Sequence, residues 1–474
     1  MLLYIVTWEQ LATVEDVTVF ISAPYDIFFF SAYFFNHSKS LGDSAFALLV
    51  TADFEVLDQV ENFELIAVNS THRIPQSAKL ERITPHDSCK WIAILAKTQL
   101  VPNLSQVFIS LGGKHAQIPF EVAPVANKPV VICISPLFAA ENWPNILVAL
   151  HVYKKFNAHL HMSIRSVISP ILEILKVYEK HGYVTIQSWP KIRLLNHEPD
   201  DFNANLNVEF RSQAASQTDC LLRYKESAEF IAFLDLDDLL IPRLASNFLM
   251  EFRSFVNVMS DVAFLQYNKE NTQSIANQKA NVFSVSRMLR SIKFTQKNET
   301  GKIVALPAKM NSTWIHWSND NLKIFHVPRE MNAITHLKDV KMVTKIEEDE
   351  EEMPTFGDGN EPLMSEKSIR EIEEDYRQMS WKPEVRKHLH RLPRGFALSK
   401  LIGKCYQETY YKFHARDDNA NLRCPGPERC NLTSYKTNCW NSIAEYHSTR
   451  DGRLINIHFL ENQDFRLSKD GCIV

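Results

Sequence analysis

The sequence predicts an α/β protein: a mostly parallel sheet flanked by helices, preceded by a β-rich region and followed by a cysteine-containing tail. Between Pro129 and Asp238, strand-like apolar runs alternate with amphipathic helical segments, a pattern typical of a parallel sheet covered by helices. Residues 1–127 instead hold short aromatic and β-branched runs without a helical period. Five of the eight cysteines lie in the last 70 residues.

Length and composition indicate a folded protein of several parts. The 474 residues are enough for two or three domains. Hydrophobic residues make up 45% and charged residues 23%, which is ordinary for a globular protein. The formal net charge is -4 and no basic block is present, so we expect no nucleic-acid partner. The predicted parts are the β-rich region 1–127, the α/β domain 128–340, an acidic linker or loop 341–390 and the C-terminal tail 391–474.

Each element of the predicted sheet has its own signal. "PVVICISPL" is continuously apolar, as expected for a strand buried on both faces, and "HLHMSI", "YVTIQSW" and "FIAFL" are the next strands along the chain. The first helix covers "NWPNILVALHVYKKF", with Asn142 as its N-cap. The second begins at Pro170 and ends at Gly182. A third helix, from about Phe210 to Ser227, leads into "FIAFL".

The cysteines of the tail stand in a stretch that contains Pro and Asn and shows little periodicity. We expect disulfides to staple this tail, whose cysteines are Cys405, Cys424, Cys430, Cys439 and Cys472. A zinc site is the alternative, although no Cys-x-x-Cys pair is present. Cys133 and Cys220 lie in apolar segments, so we expect buried free thiols at both positions.

The cellular location is predicted from sequons and from the lack of a long apolar run. "MLLYIV" is too short for a secretory or membrane segment, so we expect either a soluble chain or a natural start upstream of Met1. The secretory pathway is favoured by the sequons at Asn36, Asn69, Asn103, Asn298, Asn311 and Asn431.

Carboxylates follow the apolar strand "FIAFL" directly, as Asp235, Leu236, Asp237 and Asp238. Ligands of parallel sheets bind beyond the carboxyl ends of the strands, which makes these residues candidates for a site. One interpretation is that Asp237 or Asp238 caps a helix that begins near Pro242. Another is the Asp-x-Asp of haloacid-dehalogenase-type phosphatases, but that motif normally follows the first strand of its domain.

The third interpretation is the metal-binding Asp-x-Asp of a nucleotide-sugar transferase. Strand alternation would send Asp235 and Asp237 to the same side, where both face one cation and the diphosphate that it carries. Carboxylate oxygens suit Mn²⁺ or Mg²⁺. A cation there would remove the repulsion between the acids and take up charge on the departing diphosphate.

The segment from about 129 to 340 resembles glycosyltransferase family 92, which has the GT-A fold. The resemblance rests on "VVICISPLF", "NWPNILVALHVYKKFNA", "VYEKHGYVTIQSWP", "QTDCLLRYKESAEFIAFLDLDDLLIP", "VALPAKMNSTWIHW" and "NAITHLKD", and on the earlier "FFFSAYFFN". It implies a metal-dependent transferase with a UDP-sugar donor. Characterised members are similar in transferring galactose from UDP-galactose, in β linkage, to a glycan such as the core fucose of N-glycans. It also implies a single-pass membrane glycoprotein of the Golgi, although no anchor is visible in this chain.

The resemblance also implies a set of metal ligands. By the family's motif, Asp235 and Asp237 bind the metal and the diphosphate, and Asp238 has a supporting role. GT-A enzymes commonly add a later histidine, for which His336 is the first candidate and His316 the second. The alternative for each histidine is a partly buried ring bonded to the backbone.

The other candidate catalytic and nucleotide-binding residues each also have a purely structural interpretation. Inversion needs a carboxylate base, and Asp320 and Glu330 lie in the right late region, although either fits a surface acid equally well. Asp219 and Arg223, four residues apart on a helix, contact the nucleotide or form an ion pair with each other. Lys309 meets the diphosphate or is exposed. An inactive glycan-binding relative is the alternative function, and the intact Asp-x-Asp favours the enzyme.

Overall fold

The computed structural model describes most of the chain. The described residues are 25–111, 114–193, 204–318, 321–345, 353–356, 361–414, 416, 424–430, 436–450 and 455–473. The segment "MLLYIV" and the acidic residues 346–352 lie outside them, so the predictions made there are not addressed. Within the described residues, every helix is too short or too polar to cross a lipid bilayer.

Twenty strands and ten α-helices make up the described fold. The strands are β1 (Tyr25–Ser38), β2 (Gly42–Asp53), β3 (Asn62–Val68), β4 (Arg73–Arg82), β5 (Trp91–Gln99), β6 (Gln106–Leu111), β7 (Lys114–Ile118), β8 (Glu121–Val122), β9 (Val130–Leu137), β10 (His159–Ile164), β11 (Ser166–Ile168), β12 (Val184–Ser188), β13 (Phe230–Leu234), β14 (Asp238–Leu239), β15 (Phe264–Asn277), β16 (Lys293–Ala305), β17 (Ile324–His326), β18 (Ile334–Val343), β19 (Cys439–Arg450) and β20 (Ile455–Ser468). The helices are α1 (Val56–Gln59), α2 (Trp143–Lys155), α3 (Ser169–Lys180), α4 (Gln213–Tyr224), α5 (Phe248–Val258), α6 (Val285–Arg290), α7 (Glu366–Ser380), α8 (Pro383–Leu389), α9 (Ala397–Tyr406) and α10 (Lys412–His414). A π-helical turn, Gln407–Tyr411, joins the last two helices.

The predicted α/β sheet is confirmed. Its strand order is β12-β10-β9-β13-β16-β15-β18-β14, with β17 paired to β15. The first four strands are parallel, and β16 then runs antiparallel to β13. All eight residues of β9 are buried, as its continuous apolar sequence predicts. Asn142 caps α2 by accepting a hydrogen bond from the Asn145 N–H, also as predicted.

The second sheet joins the two ends of the chain. It contains the strands of the β-rich N-terminal region, as predicted, in the order β1-β2-β5-β4-β3-β6-β7, with β8 paired to β1. The C-terminal strands β19 and β20 extend it, since β20 lies parallel to β1 with Tyr25 opposite Ile455. The tail is therefore part of the N-terminal sheet as well as a disulfide-linked segment. Helix α4 is buried along nearly its whole length because it packs between the two sheets.

The cysteine predictions are partly confirmed. Cys405–Cys430 and Cys439–Cys472 staple the tail as predicted, and Cys424 reaches Cys89 of the β-rich region. The expected free thiols at Cys133 and Cys220 are wrong, because these residues form a disulfide between β9 and α4. Two buried apolar segments that pack face to face bring the two thiols together, and local sequence does not reveal that packing. The zinc alternative is also wrong, since the three disulfides of the tail use all five of the sulfurs that a zinc ion would need.

Candidate active site

The chain turns immediately after β13. All five residues of the strand are buried, and the Asp238 N–H then donates to the Asp235 carbonyl oxygen at 3.1 Å. Asp235, Leu236 and Asp237 thus lie in a turn, not in an extended strand. The alternation argument for their orientation is therefore wrong, and the turn sets where each carboxylate points.

Two of these carboxylates meet a histidine from a distant strand. Potential ligand atoms of Asp237, Asp238 and His336 all lie within 4.8 Å of one another. The His336 Nε2 atom is 3.2 Å from Asp237 Oδ2. Strand pairing explains the approach, because β14 and β18 are antiparallel with Asp238 opposite His336. His336, predicted from the resemblance, is thus brought to the aspartates.

Asn271 orients the histidine from the other side. Strand β15 runs parallel to β18 and places Asn271 opposite His336. The Asn271 amide nitrogen donates to Glu299 Oε1 at 3.0 Å, which leaves its oxygen to accept from His336 Nδ1 at 2.7 Å. The other ring nitrogen, Nε2, faces Asp237. Burial would raise the pKa of Asp237, but the hydrogen bond to His336 and the charges of His336 and Lys269 hold that pKa below its usual value.

Asp235 pairs with a buried lysine. The Lys302 ammonium lies 2.9 Å from Asp235 Oδ2, and Gln213 Nε2 donates to Oδ1 at 3.1 Å. Burial would raise the pKa of Asp235, but the charges of Lys302 and Lys269 and the hydrogen bonds to the carboxylate outweigh it and hold the pKa far below its usual range. Asp235 is therefore ionised, and it lies outside the compact Asp237–Asp238–His336 group.

Asp238 is fully buried against Lys269. Its Oδ1 lies 2.7 Å from the Lys269 ammonium, and its Oδ2 accepts from the Asp235 N–H at 3.1 Å. Burial and the neighbouring charges of Asp235 and Asp237 raise the pKa of Asp238, against the opposing charge of Lys269. The capping interpretation is wrong, because the next helix, α5, begins at Phe248 and is capped by Asn247.

Comparison with known proteins identifies the family of this arrangement. Residues 128–380 match the family model for glycosyltransferase family 92. The chain is 56% identical to Glycosyltransferase family 92 protein F13G3.3 of Caenorhabditis elegans, over 97% of this chain and 93% of that protein. The chain belongs to glycosyltransferase family 92.

Two further matches are less similar. Glycosyltransferase family 92 protein C33H5.2 of Caenorhabditis elegans is 34% identical over 95% of this chain and 90% of that protein. Among solved structures, S. aureus TarS 1-349 in complex with UDP-GlcNAc covers 62% of this chain and 89% of that chain, with 9% identity and a TM-score of 0.25. That structural likeness is too low to support a conclusion. Family 92 membership makes the protein a glycosyltransferase and removes the phosphatase interpretation.

His316, the second histidine candidate, lies beside Lys302 in this family 92 domain. Its Nδ1 donates to the Gly301 carbonyl oxygen at 2.8 Å. Burial, helped by the charge of Lys302, lowers the pKa of His316 to about 4. Only glycine fits at position 301, because an added Cβ would lie 1.7 Å from the Tyr267 carbonyl oxygen. His316 is outside the Asp237–Asp238–His336 group, and its role as a ligand stays a prediction.

The structure does not bring Asp219 and Arg223 to the aspartates. Asp219 accepts from the Tyr33 hydroxyl and from Gln187, both at 2.9 Å, and Arg223 pairs with Glu121 at 3.0 Å. Asp219 and Arg223 line a cavity between the two sheets that does not include Asp235. Their contact with a nucleotide stays a prediction.

Lys309 also lies apart from the turn. The Lys309 ammonium donates to the carbonyl oxygens of Ser260 and Val262. It follows Ala305, which pairs with Ile231 near the start of β13, whereas the aspartates follow the end of that strand. Glu330 is exposed in the turn before β18. Asp320 lies outside the described residues.

Four residues of the site were not predicted: Gln213, Lys269, Asn271 and Lys302. Each contacts a predicted residue, yet the contact depends on strand register or on helix packing. The register of β13 and β16 pairs Ala232 with Val304, and its continuation places Lys302 opposite Leu234. The signal available in the sequence was a lysine beside the apolar run "IVAL", where a strand residue is expected to be apolar.

Proposed function

We propose that this glycosyltransferase transfers a hexose, galactose from UDP-galactose, with inversion, to a glycan acceptor such as the core fucose of an N-glycan. Mn²⁺ or Mg²⁺ is the proposed cofactor. The observation that carries the proposal is the group formed by Asp237, Asp238 and His336 at the carboxyl end of β13, in a chain of family 92. This is the edge of an α/β sheet where ligands bind.

The residues present fit a divalent cation. Two carboxylates and one imidazole within 4.8 Å are ligand types that Mn²⁺ accepts. The Nε2 atom of His336 faces Asp237, so the imidazole and the Asp237 carboxylate would both be able to hold the cation. Asn271 supplies the outer hydrogen bond that holds the ring, as is usual for metal-binding histidines.

The chain's own residues prepare the site for a charged donor. Once bound, the cation would supply positive charge for the departing diphosphate. Lys302 holds the Asp235 carboxylate, and Lys269 holds that of Asp238, so both acids keep fixed positions before any ligand enters. Such fixed charges lower the reorganisation needed during reaction. The acceptor hydroxyl needs a base, for which Glu330 and Asp320 remain the predicted candidates.

Transfer assays with purified protein test the proposal. The protein is incubated with UDP-galactose, Mn²⁺ and a core-fucosylated N-glycan, and the product is detected by mass spectrometry. We expect Asp237→Asn to abolish metal-dependent transfer while Asp261→Asn, a surface aspartate paired with Lys323, leaves transfer unchanged. Binding of UDP without transfer to any fucosylated glycan would contradict the enzyme proposal and favour an inactive glycan-binding protein.

Metal binding is measured separately from activity. Titration with Mn²⁺, followed by electron paramagnetic resonance, should show a site that is lost in His336→Ala and kept in His326→Ala, a residue on the short edge strand β17. Equal Mn²⁺ binding by the wild type and His336→Ala would refute the ligand assignment without deciding the donor sugar.

We further infer that the protein acts in the secretory pathway, in the Golgi lumen, as a membrane-associated glycoprotein. All eight cysteines pair in four disulfides, which supports an oxidising compartment. The sequon residues Asn36 and Asn103 are exposed and open to glycosylation. Expression in animal cells, followed by glycosidase digestion and microscopy against Golgi markers, tests this; a protein that is unglycosylated and cytosolic would overturn it.

A further inference from the structure

Two pairs of aromatic side chains lie near residues 209–213, the segment that bonds to the Asp235 carboxylate. Two of them, Tyr410 and Tyr411, belong to the π-helical turn Gln407–Tyr411. Two others, Trp314 and Trp317, lie in the loop that follows β16. We call these four residues the aromatic rim. Tyr411 is 47% exposed and Trp317 is 37% exposed, so these two rings are available to a ligand.

The tyrosine half of the rim is connected to Asp235 through the segment 210–213. The Tyr410 ring centroid is 5.9 Å from that of Phe210 and 5.3 Å from that of Tyr411. Three residues after Phe210, Gln213 donates to the Asp235 carboxylate. Burial and the nearby charges of Glu299 and Asp235 raise the pKa of Tyr411, which agrees with this proximity.

The tryptophan half contacts the same segment through Glu209. The rings of Trp314 and Trp317 are 4.3 Å apart, and Trp314 Nε1 donates to Glu209 Oε2 at 2.8 Å. Glu209 directly precedes Phe210. The residue between the two tryptophans, His316, bonds to Gly301 beside Lys302. Both halves therefore contact the segment 209–213, whose Gln213 donates to the Asp235 carboxylate.

The tyrosine turn is fixed in place although its outer ring is exposed. Arg211 Nη1 donates to the Tyr406 hydroxyl at 2.9 Å. The preceding residue, Cys405, is linked to Cys430 by a disulfide. At the start of α9, Glu141 accepts from the Ser399 N–H at 2.8 Å. π-Helical turns of this kind occur frequently at functional sites. A rigid exposed ring at a site entrance binds at a low cost in conformational entropy.

We propose that Tyr411 and Trp317 form the binding site for the acceptor sugar. Their rings pack against its apolar C–H face, while its hydroxyl groups point toward the carboxylates of the site. Apolar and aromatic walls with a few placed polar groups are the usual composition of a small-ligand site. This inference rests on the proposed function, because it takes the acceptor of that reaction as the ligand.

The test separates acceptor binding from donor binding. With a core-fucosylated N-glycan as the acceptor, we expect Tyr411→Ala and Trp317→Ala each to raise the acceptor KM about tenfold. Tyr411→Phe keeps the ring and should stay near the wild-type KM. UDP affinity, measured by calorimetry with Mn²⁺, should change less than about twofold in all three variants. Trp381→Ala, which removes a ring that is 77% exposed at the end of α7, is the matched control with no expected effect.

Each outcome has a distinct meaning. A wild type that binds UDP and transfers sugar, with unchanged acceptor KM in both alanine variants, overturns the rim assignment and leaves the proposed function standing. A wild type that binds UDP but does not bind the glycan in saturation-transfer NMR also overturns the assignment. A wild type that binds neither UDP nor the glycan overturns both proposals. Thermal melts identify a variant that fails to fold, in which case Tyr411→Leu, which retains apolar bulk without a ring, replaces Tyr411→Ala.

Discussion

The pairing of Asp235 with Lys302 gives the sharpest stability prediction. Lys302→Met keeps the length and apolar stem of the side chain but removes its charge. Lys302 is 1% exposed, and its ammonium is 2.9 Å from the Asp235 carboxylate, whose side chain is 32% exposed. The substitution therefore leaves a mostly buried carboxylate without its counter-charge.

The magnitude follows from this burial. Removing one partner of a fully buried ion pair costs about 3–5 kcal/mol. Water reaches about a third of Asp235, and Gln213 still donates one hydrogen bond, so we expect the free energy of unfolding to fall by about 2 kcal/mol. In a domain of this size that corresponds to a decrease in Tm of about 4–8 °C.

A double-mutant cycle isolates the pair. Lys302→Met, Asp235→Asn and the double variant are compared by urea unfolding in the absence of divalent cations. We expect a coupling energy of about 1–2 kcal/mol, because the double variant no longer buries an unpaired charge. Effects that add within about 0.5 kcal/mol would refute the pairing. Lys323→Met, which removes the exposed partner of Asp261, is the matched control and should leave Tm unchanged.

Three further predictions concern the histidines and a disulfide. Asn271→Ala should weaken Mn²⁺ binding about 10–100-fold, because His336 loses the hydrogen bond that fixes its ring. Asn268→Ala changes an exposed residue of the same strand and should bind Mn²⁺ as the wild type does. Equal Mn²⁺ affinities of Asn271→Ala and the wild type would exclude the orienting role. Burial, helped by the charge of Arg223, lowers the pKa of His161 to about 4, so the folded state keeps this ring neutral while the unfolded chain takes up a proton below about pH 6.5. The free energy of unfolding therefore decreases as the pH falls, by about 1.4 kcal/mol at pH 5.5 for this residue. In urea titrations at about pH 7.5 and pH 5.5, His161→Asn should lose correspondingly less unfolding free energy than the wild type. An identical loss in the two proteins would contradict the assignment. Replacing both Cys133 and Cys220 by alanine should lower the free energy of unfolding by about 2–4 kcal/mol, and an unchanged urea midpoint would show that the bond does not form in solution.

Local patterns predicted the elements that position the site. The continuous apolar run of β9, the cap of α2 and the strand that ends at Leu234 all depend on periodicity or capping within a few residues, and all are confirmed. The resemblance to family 92 placed His336, which no local pattern singles out. The α/β fold class could therefore be predicted from the sequence, together with part of the site.

What could not be predicted depends on pairing between distant segments. Lys302 reaches Asp235 through the register of β13 and β16, and Lys269 reaches Asp238 from β15. The contact of β1 with β20 joins opposite ends of the chain, and the Cys133–Cys220 bond depends on how α4 lies on β9. Period and propensity describe single elements, so they contain no information on these contacts.

Three neighbouring carboxylates at the end of a buried strand suggested that a cation is needed to hold them together. The structure gives each carboxylate a partner from a different strand: Lys302 of β16 for Asp235, His336 of β18 for Asp237 and Lys269 of β15 for Asp238. The repulsion is thus balanced by the protein itself, so the fold does not need the proposed cation. We therefore expect protein treated with a chelator to remain folded, with Mn²⁺ raising Tm only by mass action. Unfolding on chelation, seen by circular dichroism, would show instead that the metal is structural and that the two lysines are insufficient.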